Sequence, residues 1–205
     1  MRAMNHFARL PALAALLLAW LPWAQGATPV PAEAASAPSA AEAAAGCPAL
    51  LRHTFARLQD EKPQSLCQYA GKVVLVVNTA SFCGFTKQYR GLDALDALYR
   101  SRGLVVLGFP SNDFAQETGS NKEIADFCES TFGVKFPMFA KSSVRGNDAN
   151  ALFRQLAQQS GTTPKWNFYK YLIGRDGAVV ASYSSLTAPE DRGFVHELER
   201  QLALH

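Results

Sequence analysis

Residues 73–86 read Val-Val-Leu-Val-Val-Asn-Thr-Ala-Ser-Phe-Cys-Gly-Phe-Thr. The apolar run that opens this stretch is typical of a strand buried on both faces of an α/β sheet. A short turn containing Cys83 follows, and a helical pattern begins a few residues later. A thiol near the N-terminus of a helix is exposed to the positive end of the helix dipole and to free backbone N–H groups, which favour the thiolate. Because the thiolate is the nucleophile, we expect Cys83 to be reactive.

The segments on either side of this stretch alternate between strand and helix patterns. A short hairpin is expected around residues 55–68, and Thr86 is expected to cap a helix over about residues 87–100. The predicted buried stripe of that helix consists of Tyr89, Leu92, Leu95 and Leu98. Gly103 is a C-terminal helix signal, and a second apolar strand follows at 104–109.

The second half of the chain completes the pattern. Ser120 and Glu123 form a capping box that opens a helix containing Cys128. A further helix is expected to begin at Asn147 or Asp148. Residues 168–173 and 178–183 flank an Asp-Gly turn and predict a hairpin. A last helix is expected to run from Thr187 to about Leu202. Parallel strands joined by helices and finished by an antiparallel hairpin predict a thioredoxin-like α/β fold, with a central mixed sheet flanked by helices.

The N-terminal part has the pattern of a segment that directs export. Arg2 and Arg9 lead into the apolar residues 10–21, and Ala24 and Gly26 are the small residues of a cleavage site. We therefore predict a signal peptide over residues 1–26 and the periplasm as the compartment; an uncleaved membrane anchor is the alternative. Residues 27–46 are rich in Ala and Pro and predict a flexible linker. Residues 47–205 have the size of one domain.

The charge balance gives no sign of a nucleic-acid partner. Without Arg2 and Arg9 the chain keeps 18 basic and 17 acidic residues, and it has no run of like charges. After cleavage we expect no stable membrane insertion. The expected partners are small molecules or other proteins.

Four cysteines remain after the predicted cleavage: Cys47, Cys67, Cys83 and Cys128. Four cysteines can pair into two disulfides in three ways. They form no Cys-x-x-Cys motif, and the histidines lack the spacing of a zinc site. We therefore expect neither a metal site nor a cofactor site.

Three polar side chains are candidates to meet Cys83, because they lie in loops next to predicted strands. Gln116 follows the second apolar strand, and Trp166 and Asn167 precede the hairpin. Each offers N–H donors, which stabilise a sulfur anion without a charged base. On local sequence alone, other interpretations stay open: an inert buried cysteine at 83, a surface loop residue at 116 and a core aromatic at 166.

Three blocks of the chain, in this order, resemble the glutathione peroxidase family. They are residues 71–86, residues 109–117 with Phe-Pro-Ser-Asn-Asp-Phe followed by Gln-Glu, and Trp-Asn-Phe at 166–168; the similarity extends over about residues 51–202. The resemblance implies that Cys83 is the peroxidatic residue and that Gln116, Trp166 and Asn167 complete a catalytic tetrad. It also implies hydrogen peroxide and organic hydroperoxides as substrates, with glutathione or a thioredoxin-like protein as the thiol reductant.

The chain departs from the family pattern at three places. Cys83 stands where animal selenoenzymes of the family carry selenocysteine. The Gln116 loop is one residue shorter than the common pattern, with Thr118 where proline is usual. The insertion that tetrameric members use for assembly is missing between Leu156 and Trp166, so we expect a monomer.

The family resemblance and the positions in the sequence suggest roles for the other three cysteines. Cys128 lies where many cysteine-type members carry the resolving cysteine; spacing alone favours a core residue beside Phe127. Cys47 and Cys67 flank the first hairpin of an exported protein, and we predict a disulfide that closes a loop of about 20 residues and contributes roughly 3 kcal/mol. The rival hypothesis is that one of these two resolves Cys83.

Two other classes of function remain as alternatives. A thioredoxin-fold protein that exchanges disulfides or assembles copper sites needs two close sulfur ligands, but Gly-Phe-Thr follows Cys83. A non-catalytic binding module is the third hypothesis. The peroxidase hypothesis predicts peroxide consumption that depends on Cys83.

Overall fold

The computed structural model describes residues 46–204. The predicted signal peptide and residues 27–45 of the predicted linker lie outside the described residues. Within 46–204, no helix is both long and apolar enough to cross a membrane.

A four-stranded mixed sheet is the centre of the domain. Its strands are β3 (Val73–Thr79), β4 (Leu104–Pro110), β5 (Lys170–Ile173) and β6 (Val179–Tyr183), in the order β4-β3-β5-β6. β3 and β4 are parallel, whereas β5 is antiparallel to both β3 and β6. A separate antiparallel hairpin consists of β1 (Thr54–Ala56) and β2 (Pro63–Ser65). The mixed sheet and the predicted hairpins are therefore present.

Among residues 46–204, four helices flank the sheet: α1 (Gln88–Tyr99), α2 (Asn121–Phe132), α3 (Ala151–Ser160) and α4 (Arg192–Ala203). Short 3-10 turns cover Ala49–Leu51, Leu66–Tyr69 and Arg100–Arg102. The predicted capping box of α2 is formed, with Ser120 and Glu123 bonded reciprocally.

The central strand β3 is buried on both faces, which explains its unbroken apolar run. Val73, Leu75 and Val77 pack in one cluster with α1, α2 and α4. Val74 and Val76 pack in the second cluster, with α3 and the first 3-10 turn. Cys83 belongs to the first cluster and Cys47 to the second.

Several predicted helix boundaries are wrong, because side-chain caps decide them. α3 begins at Ala151 and not at Asn147 or Asp148, because Asn150 is its N-cap: the Asn150 side chain accepts a hydrogen bond from Phe153 N–H. Asp191 caps α4 in the same way, so that helix begins at Arg192 and not at Thr187. In α1, Leu98 is 65% exposed.

Tyr99 completes the buried stripe of α1 where the sequence predicted Leu98. Tyr99 is 6% exposed and donates a hydrogen bond to Glu199 of α4 over 2.8 Å. An aromatic ring one residue further along the helix therefore fills the space between α1 and α4.

Candidate active site

Cys83 lies in a turn that is closed by its own hydrogen bonds. Its N–H donates to Thr86 Oγ1 over 3.0 Å, and Thr86 Oγ1 donates in turn to the carbonyl of Ala80 over 2.9 Å. The sulfur accepts from the N–H of Phe85 at 3.4 Å. The prediction that Thr86 caps α1 is wrong: Lys87 is the N-cap, and the Thr86 hydroxyl is used inside the cysteine turn.

The loop that contains Gln116 is bonded directly to the residues before Cys83. Phe82 N–H donates to the carbonyl of Gln116 over 3.1 Å. Ser81 donates to Glu117 Oε2 from its N–H over 2.8 Å and from its hydroxyl over 3.0 Å. Ala115 has a positive φ of 54°, so the shortened loop makes its bend in a left-handed conformation. The backbone thereby fixes Gln116 relative to the Cys83 turn.

Glu117 is a buried carboxylate that sequence reasoning did not single out. It has no exposed surface, and burial raises the pKa of its carboxyl while the two Ser81 bonds oppose the shift. Its Oε1 has no hydrogen-bond partner among the residues that the structure describes. The sequence gives little sign that Glu117 is buried and binds Ser81, because most charged residues in loops are solvated.

Asn167 and Gln116 are brought together by their side chains. Nδ2 of Asn167 donates to Oε1 of Gln116 over 2.9 Å, and Asn167 is completely buried. Trp166 beside it is 40% exposed, with its ring 5.4 Å from that of Phe114. The interpretation of Trp166 as a core aromatic is therefore wrong: the ring lies at the surface.

Asn78 links the strand of the cysteine to this second loop, and it too was missed. Its Nδ2 donates to the carbonyl of Trp166 over 3.1 Å, and its Oδ1 accepts from Tyr169 N–H over 3.0 Å. The carbonyl of Asn78 accepts from Phe168 N–H over 2.6 Å. The signal in the sequence is an amide directly after the apolar run of residues 73–77, because a buried polar group needs partners.

The four predicted site residues thus share one end of the sheet. Gln116 and Asn167 contact each other through their side chains. The carbonyl of Gln116 is bonded to Phe82 in the turn after β3, and the two neighbours of Asn167, Trp166 and Phe168, are bonded to Asn78 of β3. Within residues 46–204 the hydrogen bond that the Cys83 sulfur accepts comes from Phe85 N–H, not from the side chains of Gln116, Trp166 or Asn167. Cys83 is 9% exposed, so little of the residue is open to solvent.

Cys128 lies on α2 in the same apolar cluster as Cys83, and both thiols are free. It is 3% exposed. Burial raises the pKa of its thiol to about 11, although the nearby Tyr89 hydroxyl opposes the shift. At neutral pH, Cys128 is therefore a protonated core thiol.

Cys47 and Cys67 are joined in a disulfide with Cα atoms 5.3 Å apart. Cys47 packs in the cluster on the face of the sheet opposite to the Cys83 cluster. This placement separates the disulfide from the reactive turn. Among residues 46–204 no group of three His, Cys, Asp or Glu side chains could hold a metal ion.

A model of the family described as glutathione peroxidase matches residues 52–157. The chain belongs to the glutathione peroxidase family. This confirms the predicted family and the predicted enzyme class, a thiol peroxidase, over the disulfide-exchange alternative.

Curated relatives of the family are similar over most of their length. A glutathione peroxidase-like peroxiredoxin of Schizosaccharomyces pombe is 47% identical over 137 residues, which cover 64% of this chain and 87% of the relative. A hydroperoxy fatty acid reductase of Synechocystis is 46% identical over 143 residues, which cover 64% of this chain and 85% of that protein.

Solved structures agree on the fold. The glutathione peroxidase structure described as T. cruzi GPX1 superposes with a TM-score of 0.60 at 31% identity, covering 75% of this chain and 95% of that one. A thiol:disulfide interchange protein of Chlorobium tepidum gives a TM-score of 0.60 at 16% identity, covering 77% of this chain and 97% of that one. The second likeness shows the thioredoxin-like fold alone, and this fold is the one predicted.

Proposed function

We propose that this peroxidase reduces hydrogen peroxide and organic hydroperoxides through the sulfur of Cys83, with Gln116, Trp166 and Asn167 as the surrounding donors. The observation that carries the assignment is the 2.9 Å bond from Asn167 to Gln116, in a loop whose backbone is bonded to Phe82 beside the cysteine. The site needs no metal and no cofactor for this chemistry.

The first step oxidises the sulfur by two electrons. The Cys83 thiolate attacks one peroxide oxygen, an S–O bond forms and the O–O bond breaks. The leaving oxygen takes up a proton and departs as water or an alcohol, while Cys83 becomes a sulfenic acid. Because Oε1 of Gln116 is occupied by Asn167, the N–H groups of Gln116 Nε2 are left to stabilise the charge that develops on sulfur and oxygen.

An apolar surface that could hold the hydrocarbon part of an organic hydroperoxide lies next to this site. A groove of about 250 Å³ is lined by aromatic and aliphatic side chains that include Phe85, Trp166 and Leu186. Lys165, Ser184 and Ser185 also line it. We propose hydroperoxides with a hydrocarbon chain as substrates, which agrees with the name of the Synechocystis relative.

Resolution of the sulfenic acid is assigned to Cys128. Its thiol condenses with the sulfenic acid, a Cys83–Cys128 disulfide forms and water leaves. Because Cys128 is buried on α2, we expect that helix to unwind in part or to shift before the sulfurs meet. A thiol reductant then restores both thiols. We propose glutathione or a thioredoxin-like protein as this reductant, in an exported, periplasmic monomer.

The test is peroxide consumption by the purified full-length chain in the presence of each reductant. Cys83→Ser should abolish consumption, while Cys47→Ser/Cys67→Ser should retain it, because that disulfide lies on the opposite face. Trapping with dimedone followed by peptide mapping should label Cys83 after one equivalent of peroxide. Unchanged consumption by the Cys83 variant contradicts the proposal.

A further inference from the structure

Lys170 is a lysine inside the apolar core. It is the first residue of β5, has no exposed surface, and lies in register with Val77 of β3 and Tyr183 of β6. The salt bridges among residues 46–204 do not include it. Burial of an ammonium without a paired carboxylate is costly, so its hydrogen bonds must supply the compensation.

The ammonium of Lys170 begins a chain of hydrogen bonds. Nζ donates to Oε1 of Gln88 over 2.7 Å and to the carbonyl of Phe168 over 2.9 Å. Nε2 of Gln88 donates to the carbonyl of Ser185 over 2.7 Å. The hydroxyl of Ser185 donates to the carbonyl of Asn167 over 2.6 Å. Both ends of this network are therefore backbone carbonyls in the segment that contains Asn167.

That segment needs external support because its backbone is strained. Phe168 has a φ of 64°, in the left-handed region that a bulky residue rarely adopts. Such a conformation persists only where the surroundings determine it. Asn78 holds the segment from β3, and the Lys170 network holds it from α1 and from the chain after β6.

We propose that Lys170 is a positioning residue of the peroxidatic site, whose ammonium holds Asn167 in the orientation in which it supports Gln116. One bond runs directly to Phe168, and a second path runs through Gln88 and Ser185. The inference rests on the proposed function, since it requires that Asn167 assists the oxidation of Cys83.

The strength of this support depends on the charge of Lys170. Burial lowers the pKa of its ammonium to about 7, while the negative charge of Glu190 opposes the shift. Glu190 lies against Gly91 of α1, and Tyr183 is the titratable residue opposite Lys170 on β6. Burial raises the pKa of Tyr183, so Tyr183 stays neutral in this range. A neutral amine keeps two N–H donors but loses the charge that strengthens both bonds.

The experiment is a single-turnover oxidation of Cys83 by hydrogen peroxide in the full-length chain. Lys170→Met should lower the rate about tenfold, as expected for slight misplacement of a supporting group. Lys62→Met, a control whose side chain is 77% exposed, should keep the wild-type rate. In an Asn167→Ala background, Lys170→Met should cause no further loss, because Lys170 acts through Asn167.

A pH series separates positioning by the ammonium from mere packing by the side chain. The ratio of the wild-type rate to the Lys170→Met rate should fall towards one as the pH rises through about 7, where the wild type loses its ammonium. A constant ratio overturns the inference.

The remaining outcomes also decide between the hypotheses. If Asn167→Ala leaves the oxidation rate unchanged, the proposed function of Asn167 fails. If Asn167→Ala slows oxidation but Lys170→Met does not, or if the two losses multiply, only the Lys170 inference fails. Should Lys170→Met not fold by circular dichroism, Gln88→Met takes its place, because it cuts the path from Lys170 to Ser185. A wild-type rate in that variant overturns the part of the inference that runs through Gln88 and Ser185, and the direct bond from Lys170 to Phe168 is then the only support left from Lys170.

Discussion

The side-chain amide of Asn167 donates to Oε1 of Gln116 over 2.9 Å and joins two loops that lie 51 residues apart in the chain. The bond fixes the orientation of the Gln116 amide, because its carbonyl oxygen faces Nδ2 of Asn167. Under the proposed function, the amide hydrogens of Gln116 are the donors that remain for the sulfur and the peroxide. The orientation of one amide is thus set by another.

Asn167→Asp tests this orientation with almost no change in volume. A carboxylate accepts hydrogen bonds and donates none, so the amide of Gln116 should turn its N–H groups towards the new carboxylate and away from Cys83. We expect the rate of Cys83 oxidation to fall about a hundredfold, as for the loss of one oriented donor. Stopped-flow oxidation by hydrogen peroxide measures it. Asn147→Asp, at an exposed position, is the matched control. A wild-type rate for Asn167→Asp would contradict the orienting role.

Glu117→Gln should change how stability depends on pH. Burial raises the pKa of Glu117 above its ordinary value of 4.5, so between the two values the folded state binds more protons than the unfolded state. The free energy of unfolding must therefore fall as the pH rises through this window. The variant lacks that contribution and still offers Ser81 an acceptor. Urea unfolding of both proteins from pH 4 upwards should give a steeper decline for the wild type; parallel curves would show that Glu117 is not the cause.

Patterns along single segments predict much of this fold. The apolar run at β3, the capping box of α2 and the Asp-Gly turn between β5 and β6 each depend on neighbouring residues alone. The starts of α3 and α4 depend on which of several polar residues turns its side chain back to the helix. Local sequence offers more than one such residue, and packing selects between them.

The candidate site, too, is predictable from local sequence only in part. Cys83 and Gln116 stand out because each follows an apolar strand, but the partners that hold them come from distant segments. Asn78, Ser185 and Lys170 are polar residues in apolar or hairpin surroundings, and only the fold reveals that their bonds converge on residues 166–169. A sequence can show that such a residue needs a partner; it does not show which one.

Replacement of both Cys47 and Cys67 by serine should lower stability and leave the chemistry intact. The disulfide closes a loop between residues separated by 20 positions in sequence. Its loss should cost about 3 kcal/mol of unfolding free energy in the chain-entropy model. Urea unfolding measures the loss, and single-turnover oxidation of Cys83 should proceed at the wild-type rate. A slowed oxidation would contradict the separation of the disulfide from the site by the sheet.

Cys128→Ser should separate the two half-reactions. The variant keeps the Cys83 turn and its donors, so one equivalent of peroxide should still be consumed and one sulfenic acid formed. Continuous turnover should stop, because the variant has no resolving thiol to condense with the sulfenic acid at Cys83. Peptide mapping of the oxidised wild type should show a Cys83–Cys128 bridge.

The buried position of Cys128 adds a kinetic expectation to this variant. The pKa of its thiol is raised to about 11, and the residue is buried on α2, so formation of the bridge should be limited by partial unwinding or shifting of that helix. The bridge should therefore form no faster than the amides of residues 121–132 open for hydrogen exchange. A bridge from Cys83 to Cys47 or Cys67, or undiminished turnover by Cys128→Ser, would contradict the role of Cys128 and leave the first half-reaction untouched.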